Sequence, residues 1–183
     1  MRKLVAVTAV LVVAAGAFLV VDETSPPWYE RLRYPLRYQE FVRNHARNYG
    51  IDPALLAAVI YQESKFDATA KSGSGAIGLM QLTPRTAHGI AVRTGGSAFR
   101  IADLRNPEIN IRYGCWYLQN LFRKYGEERL VLAAYNAGQG NVDRWLAEGR
   151  TSIPYVETRA YVDRVEQLKR IYFDAWRHEL GYS

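Results

Sequence analysis

A chain of 183 residues, 49% of them apolar, can bury one core of ordinary size and leaves little room for a second domain. Its net charge of +6 favours an anionic partner, whether nucleic acid, a membrane surface or an acidic polymer such as cell-wall glycan, without choosing among them. The single cysteine, Cys115, excludes an intrachain disulfide, and the scattered His45, His88 and His178 lack the pairing of a zinc site, so neither a metal nor a cofactor is implied.

Arg2 and Lys3 precede an uncharged apolar run, Leu4 to Val21, nearly long enough as a helix to cross a bilayer core of about 30 Å. The run has no polar face to show to water, which argues against a buried core helix. We expect a transmembrane signal-anchor helix over residues 1–21, with the rest of the chain on the far side of the membrane. Arg31, Arg33 and Arg37 oppose that orientation, and Ala15-Gly16-Ala17 has the small-x-small form of a cleavage site, so a removable signal peptide stays open. No cysteine in the run could accept a lipid. A basic nucleic-acid-binding domain fits the charge but not an export segment.

Residues 22–38 read as a spacer, because Ser25-Pro26-Pro27 should break any helix between Asp22 and Tyr34. Beyond it the signals are helical. Leu36 to Tyr49 is closed by Gly50, which suits a left-handed cap. Asp52-Pro53, Thr83-Pro84 and Asn106-Pro107 each pair an N-cap with proline at the first helical position, opening helices towards Lys65, Val92 and Tyr125. Gly126 stops the last of these. Further helices are expected from Glu127 to Tyr135, from Asn141 to Glu148, and from Pro154 or Tyr155 to about His178. No other stretch alternates with strand periodicity, so the fold class is all-α.

On the helix after Pro53, Leu55, Leu56, Val59 and Ile60 share an apolar face, and Glu63 falls near its centre. A buried carboxylate holds its proton near neutrality, which is what a general acid needs. Glu63 could equally sit at a fraying helix end and pair with Lys65. Ser72-Gly73-Ser74-Gly75-Ala76-Ile77-Gly78 is a run of small residues that lets backbone approach a ligand, and it lacks the Gly-Lys-Ser/Thr ending of a phosphate loop.

Gln62-Glu63-Ser64, Gly75-Ala76-Ile77-Gly78-Leu79-Met80-Gln81, Ala134-Tyr135-Asn136-Ala137-Gly138, and Pro154-Tyr155-Val156-Glu157-Thr158-Arg159 with Tyr161-Val162 stand in this order. Together they resemble the soluble lytic transglycosylase family over about Gln39 to Phe173. The resemblance implies a lysozyme-like helical domain with a binding cleft, spanning residues 39–178. It also implies cleavage of the MurNAc–GlcNAc bond of peptidoglycan without water, leaving a 1,6-anhydro-MurNAc end. Carried over, it makes Glu63 the acid/base and places Ser72 in a loop against the reacting sugar. Gln81 becomes a glycan subsite residue, Tyr135 and Asn136 line the cleft, and Glu157 supports the site from the other side. Ser64 and Tyr161 are lesser candidates, a helix-end cap and a packing tyrosine otherwise. Thr83, after Leu82, stands where some relatives carry an apolar residue.

Retaining glycosidases place a second carboxylate about 5–5.5 Å from the acid. Close in sequence to Glu63 there is only Asp67, and none is needed if the MurNAc C6 hydroxyl attacks C1 of its own sugar. The rival readings are a hydrolytic muramidase of goose-lysozyme type, using Glu157 or Asp67 to position water, and an idle glycan-binding scaffold. The implied partners are peptidoglycan strands and, through residues 1–21, a membrane; no protein partner is indicated. The implied location is the extracytoplasmic face of a bacterial membrane, or secreted or periplasmic after cleavage.

Overall fold

The computed structural model describes residues 26–182. The expected signal-anchor helix, residues 1–21, and the start of the expected spacer, residues 22–25, lie outside the described residues. None of the described helices is long and apolar enough to cross a membrane. The chain divides into two compact units, residues 1–35 and 36–183.

In the first unit the expectation that Ser25-Pro26-Pro27 breaks any helix before Tyr34 needs correction. Pro27–Arg33 forms a helix, α1, with Pro26 as its extended N-cap and Pro27 inside its first turn. Proline breaks a helix only where a preceding carbonyl and an N–H are needed, and at the first position neither is.

The second unit is helical: α2 (Gln39–Tyr49), α3 (Pro53–Ser64), α4 (Pro84–Arg93), α5 (Pro107–Tyr125), α6 (Glu128–Ala137), α7 (Gln139–Ala147) and α8 (Val156–Trp176). Among the described residues there is no strand, only isolated antiparallel bridges of Ile77 with Lys71 and with Leu82. The three expected proline-led caps form. Asp52 accepts from the N–H groups of Ala54 at 2.8 Å and Leu55 at 3.3 Å, Thr83 from Thr86 at 3.1 Å, and Asn106 from Ile109 at 3.2 Å. Gly50 closes α2 with φ 63° and Gly126 closes α5 with φ 72°. α2 starts three residues later than expected, because Tyr38 takes a left-handed conformation. Only Gly138 separates α6 from α7. The 3₁₀ helix Ile101–Arg105 has no announcement in the periodicity.

α3 is the axis of the domain. Every residue from Ala54 to Ile60 is buried, and α8 is the helix it packs against most extensively, with α2 on another side. The reading of α3 as one-faced is therefore corrected: a helix apolar all round is covered all round. Its start is tied to the C-terminus, where the Tyr182 hydroxyl donates to Asp52 and accepts from the Ala54 N–H. Its end, from Tyr61 to Ser64, is where the covering thins.

Candidate active site

The last turn of α3 delivers Glu63 to the edge of the core. Lys65 and Phe66 then take left-handed conformations, φ 52° and 63°, which turn the chain out of the helix and into the loop leading to α4. Phe66 is fully buried and packs on Tyr172 with ring centroids 6.1 Å apart, so the sharp exit is fixed by packing.

Burial pushes the Glu63 carboxyl up to about 7, and the hydroxyl of Tyr161 on α8, donating to Oε1 at 2.7 Å, works in the opposite direction. Desolvation wins, because removing most of the water around a carboxylate costs more than one hydrogen bond returns. With Oε1 accepting from Tyr161, the neutral acid carries its proton on Oε2. The Tyr161 and Tyr135 hydroxyls are themselves pushed well above the usual range, first by burial and then by the neighbouring Glu63 charge. Glu63 on α3, Tyr135 on α6 and Tyr161 on α8 thus form one electrostatic cluster. Glu63 is half-buried with its proton affinity raised, and a Lys65 ion pair is not what forms: the Lys65 ammonium lies over the Tyr61 ring, 4.9 Å from its centroid.

The loop from residue 67 to 83 is held against this cluster by backbone. The Tyr135 hydroxyl donates to the Met80 carbonyl at 2.6 Å, and the Ser64 hydroxyl donates to the Leu79 carbonyl at 2.8 Å. Ser64 is therefore a positioning residue that fastens the loop to the end of α3. Ser72 accepts from the Ala76 N–H at 3.0 Å and shares a hydrogen bond with Ser74, so its hydroxyl closes its own turn around Gly75, φ 84°. Gln81, left-handed at φ 46°, donates from Nε2 to the carbonyls of Gly78 at 2.9 Å and Ala70 at 3.2 Å. Its amide nitrogen braces the loop, which leaves its oxygen as the atom with which it could meet a ligand.

Asn136 is exposed, and its oxygen accepts from buried Thr158 at 3.0 Å, turning its N–H groups away from α8. Glu157 is exposed in the first turn of α8 and makes no hydrogen bond or ion pair among the described residues. It stands one helical turn before Tyr161, on the same side of α8, at greater distance from the core.

The sequence reading missed what supports the loop from below. Asn110 on α5 is fully buried; it donates from Nδ2 to the carbonyls of Ile77 at 2.9 Å and Leu104 at 2.8 Å, and its oxygen accepts from the Met80 N–H at 2.8 Å. One turn on, Gly114 makes room for Met80: a Cβ there would stand 2.1 Å from Met80 Sδ. Gly78, φ 80°, is pressed as closely onto Asn110 and Leu104. A signal existed, since Asn110, Gly114, Leu118 and Leu121 fall on one helical stripe and only an amide with partners belongs on a stripe that is otherwise buried. Among the described residues no three His, Cys, Asp or Glu side chains converge to hold a metal ion.

Residues 40–155 match the family described as Transglycosylase SLT domain. The soluble lytic murein transglycosylase of Salmonella typhimurium is 37% identical over 167 residues, covering 81% of this chain and 24% of that protein. Membrane-bound lytic murein transglycosylase F of Yersinia pestis is 41% identical over 112 residues, 57% of this chain and 21% of that one. A solved structure of an inactive glutamate-to-glutamine variant of lytic transglycosylase Slt from Pseudomonas aeruginosa superposes with a TM-score of 0.74 at 35% identity, over 80% of this chain and 25% of that one. The chain spans about a quarter of the length of these proteins.

Proposed function

Since the chain belongs to the transglycosylase SLT family, whose lysozyme-like all-helical fold it shares, we propose that it is a peptidoglycan lytic transglycosylase with Glu63 as its one catalytic carboxyl. The observation that carries the proposal is the state of Glu63: held to about 7 by burial, with a tyrosine hydroxyl and no second carboxylate among the groups that set its proton affinity.

In this reading Glu63 protonates the oxygen between MurNAc and GlcNAc from Oε2, and the C1–O bond breaks. The resulting carboxylate, stabilised at Oε1 by Tyr161, then takes the proton of the MurNAc C6 hydroxyl as that oxygen bonds to C1. Atoms balance without water, and Glu63 ends protonated for the next cycle. A value of about 7 suits both halves, because the group must give and recover a proton at neutral pH. The backbone loop from Ser72 to Gln81, braced by Asn110, Ser64 and Tyr135, would present rigid donors and acceptors to the sugars. Asn136 and Glu157 would stand along the opposite wall.

Residues 39–178 form the catalytic domain in this proposal. Residues 1–21, whose run Leu4 to Val21 carries no charge, tether it to the extracytoplasmic face of the membrane, and removal of that run would give a secreted or periplasmic enzyme.

Mass analysis of fragments released from purified peptidoglycan tests the reaction. The proposal requires products lighter by one water than those of a muramidase. Fragments with ordinary reducing MurNAc ends would make the protein hydrolytic, and no fragments at all would leave a binding scaffold.

A further inference from the structure

Two cavities lie between α4 and α5 and share Ile90 and Trp116 as a common wall. The larger, about 530 Å³, is lined by Arg85, Arg93 and Lys124 with Trp116 and Tyr117. The smaller, about 390 Å³, adds Arg112 between Tyr49 and Tyr113. Among the described residues no Asp or Glu lines either one. Lys124 is neutralised by Asp143 at 2.6 Å, but the three arginines have no acidic partner among the described residues. Arg93 donates to the Gly89 carbonyl at 3.0 Å, Arg112 lies over the ring of its neighbour Tyr113, and Arg85 is exposed.

This groove opens beside the Glu63 cluster. The Tyr117 ring in its wall lies 5.5 Å from the ring of Tyr135, and Thr86, also in its wall, shares a hydrogen bond with Thr83, two residues beyond Gln81. A volume of this size is that of an ordinary ligand pocket. Guanidinium groups match carboxylates in geometry, and an unopposed set of them concentrates anions from solution. Aromatic faces at Trp116 and Tyr117 can cover apolar or sugar surface at the same time.

We propose that the α4–α5 groove binds the ionised carboxylates of the peptide stems that substitute the glycan, so that the enzyme discriminates between free and amidated stems. This rests on the reading of the chain as a peptidoglycan-cleaving enzyme. The uncharged sugars alone make no use of three unopposed arginines, whereas stems attached to alternate sugars bring carboxylates alongside the strand being cut.

The experiment compares the full chain with its Arg85→Glu/Arg93→Glu and Arg85→Ala/Arg93→Ala variants on two substrates: native glycan strands, and the same strands with their carboxylates converted to carboxamides. On native strands KM should rise about tenfold in the glutamate variant and less in the alanine variant, with kcat little changed. On amidated strands wild type and variants should share one KM, no lower than that of the alanine variant on native strands. A rise of KM on both substrates alike, or no rise on native strands, overturns the proposal. Sedimentation of native strands with the Glu63→Gln chain, with and without the arginine substitutions, reads the groove without turnover. Loss of the anhydro product in the wild type would sink the reading of the reaction and leave that binding difference standing.

Discussion

Replacing Tyr161 with phenylalanine isolates the one hydrogen bond that opposes burial at Glu63. Tyr161 is buried and its ring stays, so the fold should survive with a loss of about 1 kcal/mol. The hydroxyl donates to Oε1 at 2.7 Å and stabilises the charged carboxylate more than the neutral acid. A hydrogen bond to a charged group contributes roughly 1.5–3 kcal/mol and one to a neutral group roughly 0.5–1.5 kcal/mol, so the difference is about 1–1.5 kcal/mol. At about 1.4 kcal/mol for each pH unit, Glu63 should rise from about 7 by about one unit. The assay is the initial rate of fragment release from peptidoglycan, from about pH 5 to about pH 9 at constant ionic strength. The alkaline limb should move upward by that unit, since the acid form persists to higher pH. A limb that stayed in place, or moved down, would refute Glu63 as the group that sets it. The same profile with His45, His88 and His178 substituted one at a time should keep its limb. Burial lowers the proton affinity of His45, and His88 and His178 are exposed on α4 and beyond α8.

Glu63→Gln should abolish cleavage while stabilising the fold in a pH-dependent way. The folded protein holds the Glu63 proton to about 7 against 4.5 for an ordinary glutamate, so the stability of the protonated state is complete below 4.5 and declines as pH rises through 7. The variant should match wild type in thermal melts near pH 4 and exceed it near pH 8 by up to about 3 kcal/mol; equal melting at both pH values would contradict the burial argument. Gly114→Ala should destabilise by about 1–2 kcal/mol in denaturant melts and lower activity, because fully buried Met80 has no space to yield and the gain of about 1 kcal/mol in helix propensity is outweighed. Asn110→Leu should cost at least about 3 kcal/mol by leaving the Met80 N–H and the Leu104 carbonyl without the amide that pairs them and the Ile77 carbonyl with the Leu82 N–H alone; a near-neutral melt would show that they find water. A chain lacking residues 1–25 should be soluble and cleave peptidoglycan, while the full chain fractionates with membrane; an inactive truncation would tie the N-terminal segment to catalysis.

The helices of the second unit were legible because their ends are local chemistry. Asp52, Thr83 and Asn106 each bond the first free N–H groups of a turn that proline has already bent, and Gly50 and Gly126 take conformations costly to other residues. The same prolines misled at Pro26-Pro27, where a first-turn position is indistinguishable from a break until the following residues are seen to coil. Glu63 could be singled out as a carboxylate among apolar residues, but periodicity assigned it to a face that does not exist, since α3 is surrounded. What raises its proton affinity is water excluded by helices distant in the chain, and what moderates it is a tyrosine 98 residues away. Residue type alone could not separate the roles of Ser64, Ser72 and Gln81, because a hydroxyl or amide turned to its own loop reads the same as one turned to a sugar. Asn110 and Gly114 were invisible for the complementary reason. An amide and a glycine in mid-helix acquire meaning only when Met80 is laid across them, and that contact is made by the folding of the chain on itself.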